Sequence, residues 1–319
     1  MSLFRGTSLL SNGTKLGHRH LAVAIVAALV SFASGSGQNA PSLKVMISGG
    51  FRAAYQELVP EFERKTGYAI VTAYGASIGN APNAIPNRIK SGELADVVIL
   101  ASSALEELVK NRKVIPGTRV DLARSVIAMA VRAGAPKPDI STLEGLKRTL
   151  LAAKSIAYSD STSGVYLSTE LFQRLGIADA IRSKCHRIDV GMVGTVIARG
   201  DAEIGFQQLS ELLPIAGIDI VGPIPSEAQK MTVYSGGVVV NSEQLAMAKQ
   251  FLLFLVSPKA AAAIKKSGMQ PASEQLTTTG NSGLLSHATS RPLRSSPELQ
   301  RHGWVKLLLE SISLHAVSK

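Results

Sequence analysis

The sequence predicts an α/β fold, and three observations carry that prediction. Short apolar runs rich in Val, Ile and Leu alternate with segments whose apolar residues recur at helical spacing. Most runs end in a cluster of Gly, Ser, Thr or Asn before the next helical pattern begins. The chain is 319 residues long with 45% hydrophobic residues, enough to fill one large domain or two lobes.

Taken in order, LKVMI (43–47) is the first strand and ends in Ser48, Gly49 and Gly50. Phe51, Ala54, Tyr55, Leu58, Val59 and Phe62 then share a helical face closed by Gly67, with Pro60 placed to kink it. AIVTAY (69–74) is a second strand, followed by GASIGNAPNAIPN, a loop too broken for one clean helix. DVVILA (96–101) is a third, and Ser103 with Glu106 reads as a capping box. SVIAMAV (125–131) is another strand, and Ser141 with Glu144 caps the next helix.

The strand SIAYSD (155–160) enters the hydroxyl-rich turn STSG (161–164). Leu167, Leu171, Phe172 and Leu175 form the face of the helix after Ser163 and Gly164, and Gly176 terminates it. VGMVGTVIARGDAEIGF (190–206) reads as a helix and then a strand closing on Gln207 and Gln208. YSGGVVVN (234–241) is a strand, and the helical segment 246–268 is interrupted at Pro258. No internal repeat is visible. Beyond about residue 272 the chain is Ser/Thr-rich and aperiodic, so 273–319 is expected to be a disordered tail.

Arg5, Lys15 and Arg19 precede the apolar run 21–33, and small residues follow it. That order predicts an export signal over 1–35, too short an apolar run for a comfortable membrane span. A soluble periplasmic protein is the expectation. The formal net charge is +11, but about five of those charges lie outside 43–272, so the middle is only mildly basic. With aromatics at 5%, no stacking platform for nucleic acid is expected. Cys185 is the only cysteine, and His186 is the only histidine between residues 21 and 286. A zinc site or a Ser-His-Asp triad has almost nothing to draw on.

One device recurs: a strand, a turn of small residues, then a helix start. It occurs at 48–50, at 75–77 and at 161–164, and Val190 with Gly191 opens a helix after a polar stretch. Helix starts present free N–H groups and a partial positive charge, so several converging on one cavity would seat an anion. A nucleotide loop is not supported, since neither G-x-x-x-x-G-K-[ST] nor G-x-G-x-x-G is present after the first strand. The serine hydrolase elbow G-x-S-x-G is also missing at 161–164.

On the segments 43–67, 91–102, 155–177, 189–206 and 251–269, the chain resembles the periplasmic molybdate-binding proteins and the wider type II solute-binding proteins of ABC importers. The resemblance covers about residues 43–272. It implies two lobes, 43–124 plus 236–272 and 125–235, with crossings near 124–126 and 233–237 and a ligand cleft between them. It implies that serine hydroxyls, backbone N–H groups and a tyrosine hold an oxyanion. Ser77 matches the second-loop serine, Ser163 before Gly164 the third-loop small residue, and Val190 the Asp-Val position. The first-loop serine falls on Gly50, with Ser48 two residues earlier, and the tyrosine falls on Gln208 beside Gln207. With Arg52 near the first helix, that mixture suits a protonated or hydroxylated organic acid better than a bare oxyanion.

The expectation is therefore a monomeric receptor, not an enzyme and without cofactor or directly ligated metal. It would bind a molybdate-like anion through Ser48, Gly50, Ser77, Ser163, Gly164, Val190 and Gln208 and deliver it to an inner-membrane ABC permease. The alternatives are the same fold holding an organic carboxylate, phosphate or sulfate, and a secreted enzyme using Ser161 or Ser163. A ligand-sensing domain of a transcription regulator is opposed by the export signal.

Overall fold

The computed structural model describes residues 41–189 and 191–274. The predicted export signal, Val190 and nearly all of the predicted tail lie outside them. Two mixed α/β sheets form two lobes. The first has the order β11-β4-β10-β3-β1-β2 and the second β7-β6-β8-β5-β9.

In the first lobe, β1 (Ser42–Ser48) pairs in parallel with β2 (Ala69–Gly75) and β3 (Val97–Ala101), with Ser48 opposite Gly75 and Val45 opposite Val97. β3 is buried along its whole length, which is why it reads as an unbroken apolar run. A 3-10 turn (Gly49–Phe51) leads into α1 (Arg52–Thr66). Its buried face, including Tyr55, Leu58 and Phe62, packs on the sheet, and Gly67 ends it at φ 73°. The helix runs through Pro60 without ending. Phe62 meets Phe251 edge-on at 4.8 Å, joining α1 to α9 (Leu245–Phe254). α10 (Pro258–Lys266) follows, and its N-cap Ser257 accepts a hydrogen bond from the Ala260 N–H.

β4 (Val120–Ser125) passes directly into β5 (Ile127–Arg132), so the chain crosses to the second lobe at Val126. There β6 (Ile156–Ser159) lies between β7 (Cys185–Ile188) and β8 (Ile204–Gln208), parallel to both. β5 lies between β8 and β9 (Ile218–Pro223), antiparallel to both. The chain returns through β10 (Thr232–Val238), which inserts antiparallel between β3 and β4, and β11 (Gln270–Pro271) closes the edge.

Several elements differ from the sequence reading. Residues 232–235, assigned to the second lobe, already pair with β3 and β4. A six-residue α2 (Ile85–Lys90) interrupts the Gly/Pro/Asn loop, its Ile85 and Ile89 buried beneath β1 and β3. Ser103 caps nothing, because α3 (Ser102–Lys110) begins one residue earlier. Thr142, not Ser141, caps α4 (Leu143–Ala152) by accepting from the Gly145 N–H at 3.0 Å. β7 and β9 went unread because their sequences lack a continuous apolar run: CHRI is half polar, and IDIVGP is broken by Asp219 and ends in Gly222 and Pro223, with no residue fully buried.

Candidate active site

Parallel strands place their carboxyl ends, and the helix starts that follow them, on one side of a sheet. Here the two sheets turn those sides toward each other, around a cleft of about 190 Å³. That is small beside the roughly 300–1,000 Å³ of drug-sized pockets. The first lobe contributes Ser48, Gly49 and Gly50 at the end of β1 and Gly75, Ala76 and Ser77 at the end of β2. It also contributes Arg52, Tyr74, Asn83 and, from β10, Tyr234. The second lobe contributes Ser159, Asp160 and Ser161 at the end of β6 and just beyond it, and Ile188, Asp189, Gly191 and Met192 at the end of β7 and just beyond it. Gln207 and Glu211 complete that wall from the end of β8 and α8 (Leu209–Leu212).

Of the residues singled out from the sequence, Ser48, Gly50 and Ser77 line this cleft together. Ser163, Gly164 and Gln208 are buried but do not line it, and Val190 lies outside the described residues. Gly164 is packed against backbone: a Cβ there would fall 1.8 Å from the Ser159 carbonyl oxygen. Gln208 is turned toward the lobe junction, donating from Nε2 to Thr232 Oγ1 at 2.9 Å. Its neighbour Gln207 faces the cleft and accepts from the Val193 N–H at 3.0 Å, fixing the start of α7 (Val193–Arg199).

Sequence reasoning missed Glu211, Tyr234 and Ser159. Glu211 reaches from the second lobe to the first turn of the other, so that a Cβ on Gly49 would fall 2.2 Å from its Oε1. Burial pushes its carboxyl up from 4.5 to about 7, against the opposing pull of the Gln207 side chain and the Gln208 backbone. Tyr234 reaches the next residue of the same turn, and a Cβ on Gly50 would fall 1.9 Å from its hydroxyl oxygen. Burial first, and the Glu211 charge second, hold the phenol well above its usual range. The only sequence signal for Glu211 was its place just past a strand end, which an ordinary surface acid shares.

The rest of the wall supplies hydrogen-bond donors. Ser48 Oγ and Ser159 Oγ are buried and have no partner among the described residues. Ser77 Oγ accepts from the Ala101 N–H at 2.9 Å, leaving its own proton for a ligand. The Arg52 guanidinium lies 4.2 Å from the Tyr74 ring centre and forms no ion pair among the described residues. Contacts already cross the cleft: Ser210 Oγ donates to the Gly50 carbonyl at 2.7 Å, and the Asn80 N–H to Asp160 Oδ2 at 3.3 Å. Arg187 pairs with Asp189 at 2.9 Å and lies 3.8 Å from Asp160. Burial raises the pKa of the half-buried Cys185 thiol, so it is not a ready thiolate. Among the described residues no three His, Cys, Asp or Glu side chains cluster as a metal site.

Comparison with known proteins both places and corrects this reading. An aconitate isomerase from Pseudomonas sp. is 49% identical over 238 residues, covering 75% of this chain and 91% of its own. The periplasmic molybdate-binding protein of Azotobacter vinelandii superposes with a TM-score of 0.59 at 24% identity, covering 71% of this chain and 98% of that one. The sulfate-binding protein SubI of Mycobacterium tuberculosis gives a TM-score of 0.58 at 19% identity, covering 73% and 88%. The last two share the fold. The first overturns two expectations, that the chain is a transport receptor for a molybdate-like oxyanion and that it is not an enzyme. Its physical counterpart is Glu211, a carboxyl in the cleft wall that burial pushes up to about 7, a group suited to exchanging a proton with a ligand. Residues 43–270 match the model of the bacterial extracellular solute-binding proteins, and the chain belongs to that family.

Proposed function

We propose that the protein is an exported isomerase of aconitate-class unsaturated tricarboxylates, working by proton transfer in the interlobe cleft. The observation that carries this reading is the position of Glu211. A carboxyl held near pH 7 stands among hydroxyl, amide and guanidinium donors, directly against the turn that opens α1. A group titrating near the working pH can both take and return a proton.

Aconitate carries three carboxylates on a propene skeleton, and its CH2 group is allylic and adjacent to one of them. In the proposed reaction Glu211 takes a proton from that carbon, leaving a dienolate spread toward the outer carboxylates. Return of the proton to the former vinyl carbon moves the double bond to the carbon that lost it, and the geometric isomer results when the substrate is held with that C–CH2 bond turned so that the new double bond has the opposite geometry. No atom is lost and nothing is oxidised. Arg52 would pair with one carboxylate, and Ser48, Ser77 and Ser159 would donate to the others. The identity to an aconitate isomerase supports the substrate class. This reading needs no permease.

The test is to incubate the mature protein with cis-aconitate and follow the trans isomer by proton NMR. We expect turnover, and we expect Glu211→Gln to lower kcat by about 10²–10⁴-fold while tricarboxylate binding persists. A wild-type protein that binds aconitate and leaves it unchanged would overturn the reading.

A further inference from the structure

We propose that Tyr234 is a catalytic residue of the same cleft: its hydroxyl fills the space above Gly50 and donates a hydrogen bond to the substrate carboxylate that gathers charge as the proton leaves. The inference rests on the isomerase reading and assigns a second reacting group to it.

The geometry is unusual for a core tyrosine. Tyr234 is 3% exposed, and its ring belongs to the main core of the first lobe. β10 holds it between Ala101 of β3 and Ala123 of β4, and the register with β4 shifts just after it, a bulge that re-aims a side chain. The hydroxyl emerges at the cleft wall and engages in no hydrogen bond among the described residues. A buried phenol normally finds an acceptor. Here the side facing the cleft is where an acceptor would bind.

Two consecutive residues thus carry two functional groups delivered from elsewhere. Glu211 presses against Gly49 and Tyr234 against Gly50. Adjacent Cα atoms are about 3.8 Å apart, so base and donor flank one short stretch of backbone. Burial holds the phenol well above its usual range, so it stays protonated through the window near 7 in which Glu211 ionises. The proton that moves is therefore the one passing from carbon to Glu211 and back to carbon. Tyr234 keeps its own, and stabilises the dienolate electrostatically from a fixed position.

Steady-state kinetics on cis-aconitate with the full-length mature protein test this. Tyr234→Phe keeps the ring in the core and removes only the donor. We expect kcat to fall about 10²–10³-fold, with KM and melting temperature changing little and the limb of the pH profile near 7 retained. Gly50→Ala should displace the phenol, and the double variant should be no slower than the slower single variant. If wild type turns over and Tyr234→Phe matches it, the role of Tyr234 is overturned while the isomerase reading stands. Fully additive losses in the double variant would overturn the coupling between Gly50 and the phenol. If wild type turns over neither isomer, both readings fall.

Discussion

Two strand-end turns face each other across the cleft, residues 48–50 in the first lobe and 159–164 in the second, and their glycines do different work. In the first turn the space beside Gly49 and Gly50 is taken by side chains from 211 and 234. In the second, the space beside Gly164 is taken by the backbone of Ser159, five residues earlier, with the carbonyl carbon and amide nitrogen at 2.8 and 2.9 Å. One glycine pair admits distant chemistry to the cleft. The other lets a helix start close onto its own strand. A run of small residues after a strand is compatible with either outcome, and only the occupant of the vacated space distinguishes them.

The largest expected effects separate those roles. Gly164→Ala drives a methyl into backbone that has no rotamer to change, and we expect a loss above about 4 kcal/mol or no folded protein, read by thermal melting. Gly49→Ala meets only the end of the Glu211 side chain, which can swing aside. Stability should change by about 1 kcal/mol or less, while aconitate turnover falls about 10²-fold because the base has moved. Equal effects of the two substitutions on stability would erase the distinction.

The next effect concerns what Glu211 does to the fold. Its folded pKa of about 7 lies above the ordinary 4.5, so between those values the folded state holds a proton that the unfolded chain has released. Stability of the ligand-free protein should fall as pH rises through that window. The full deficit, about 3 kcal/mol for a shift of this size, is present above pH 7 and absent below 4.5. Urea unfolding at pH 4.5 and pH 8, compared between wild type and Glu211→Gln, reads it directly. The variant should be the more stable protein at pH 8, the reverse of its effect on turnover. A pH dependence that is unchanged by the substitution would place the strained ionisation elsewhere.

The legible part of the fold is the part governed by local pattern. β1, β3, α1 and the helix pair 245–266 were readable because buried parallel strands and amphipathic helices write their burial into consecutive residues. The convergence of strand ends on one cleft was readable for the same reason, and Ser48, Gly50 and Ser77 do line one cavity. Glu211 and Tyr234 were not, because their meaning depends on contacts 162 and 184 residues away along the chain. In the sequence one is an acid in a short amphipathic segment and the other opens a strand. Cys185 and His186 show the converse. They sit on an unread strand, β7, and neither lines the cleft, so chemical type alone identified no site.

The smallest effect compares two serines that look alike in sequence. Both are nearly fully buried, Ser77 at 2% exposure and Ser163 at 3%, and both lie in turns after a strand. Ser77 lines the cleft and accepts from the Ala101 N–H, so its hydroxyl hydrogen is free to point at a ligand. Ser163 lies in the first turn of the helical segment 162–174, behind the wall formed by Ser159, Asp160 and Ser161. Removing the Ser77 hydroxyl takes away one donor to a carboxylate, worth about 1.5 kcal/mol, while the Ala101 N–H that it strands is lost equally to the free and the bound protein. Calorimetric titration with propane-1,2,3-tricarboxylate, which has the carboxylates but no double bond, should therefore show about tenfold weaker binding for Ser77→Ala. Ser163→Ala should stay within about twofold of wild type. Weakening by Ser163→Ala as large as that from Ser77→Ala would mean that the lobes close further on ligand than this structure does, carrying the 161–164 turn into the cleft after all.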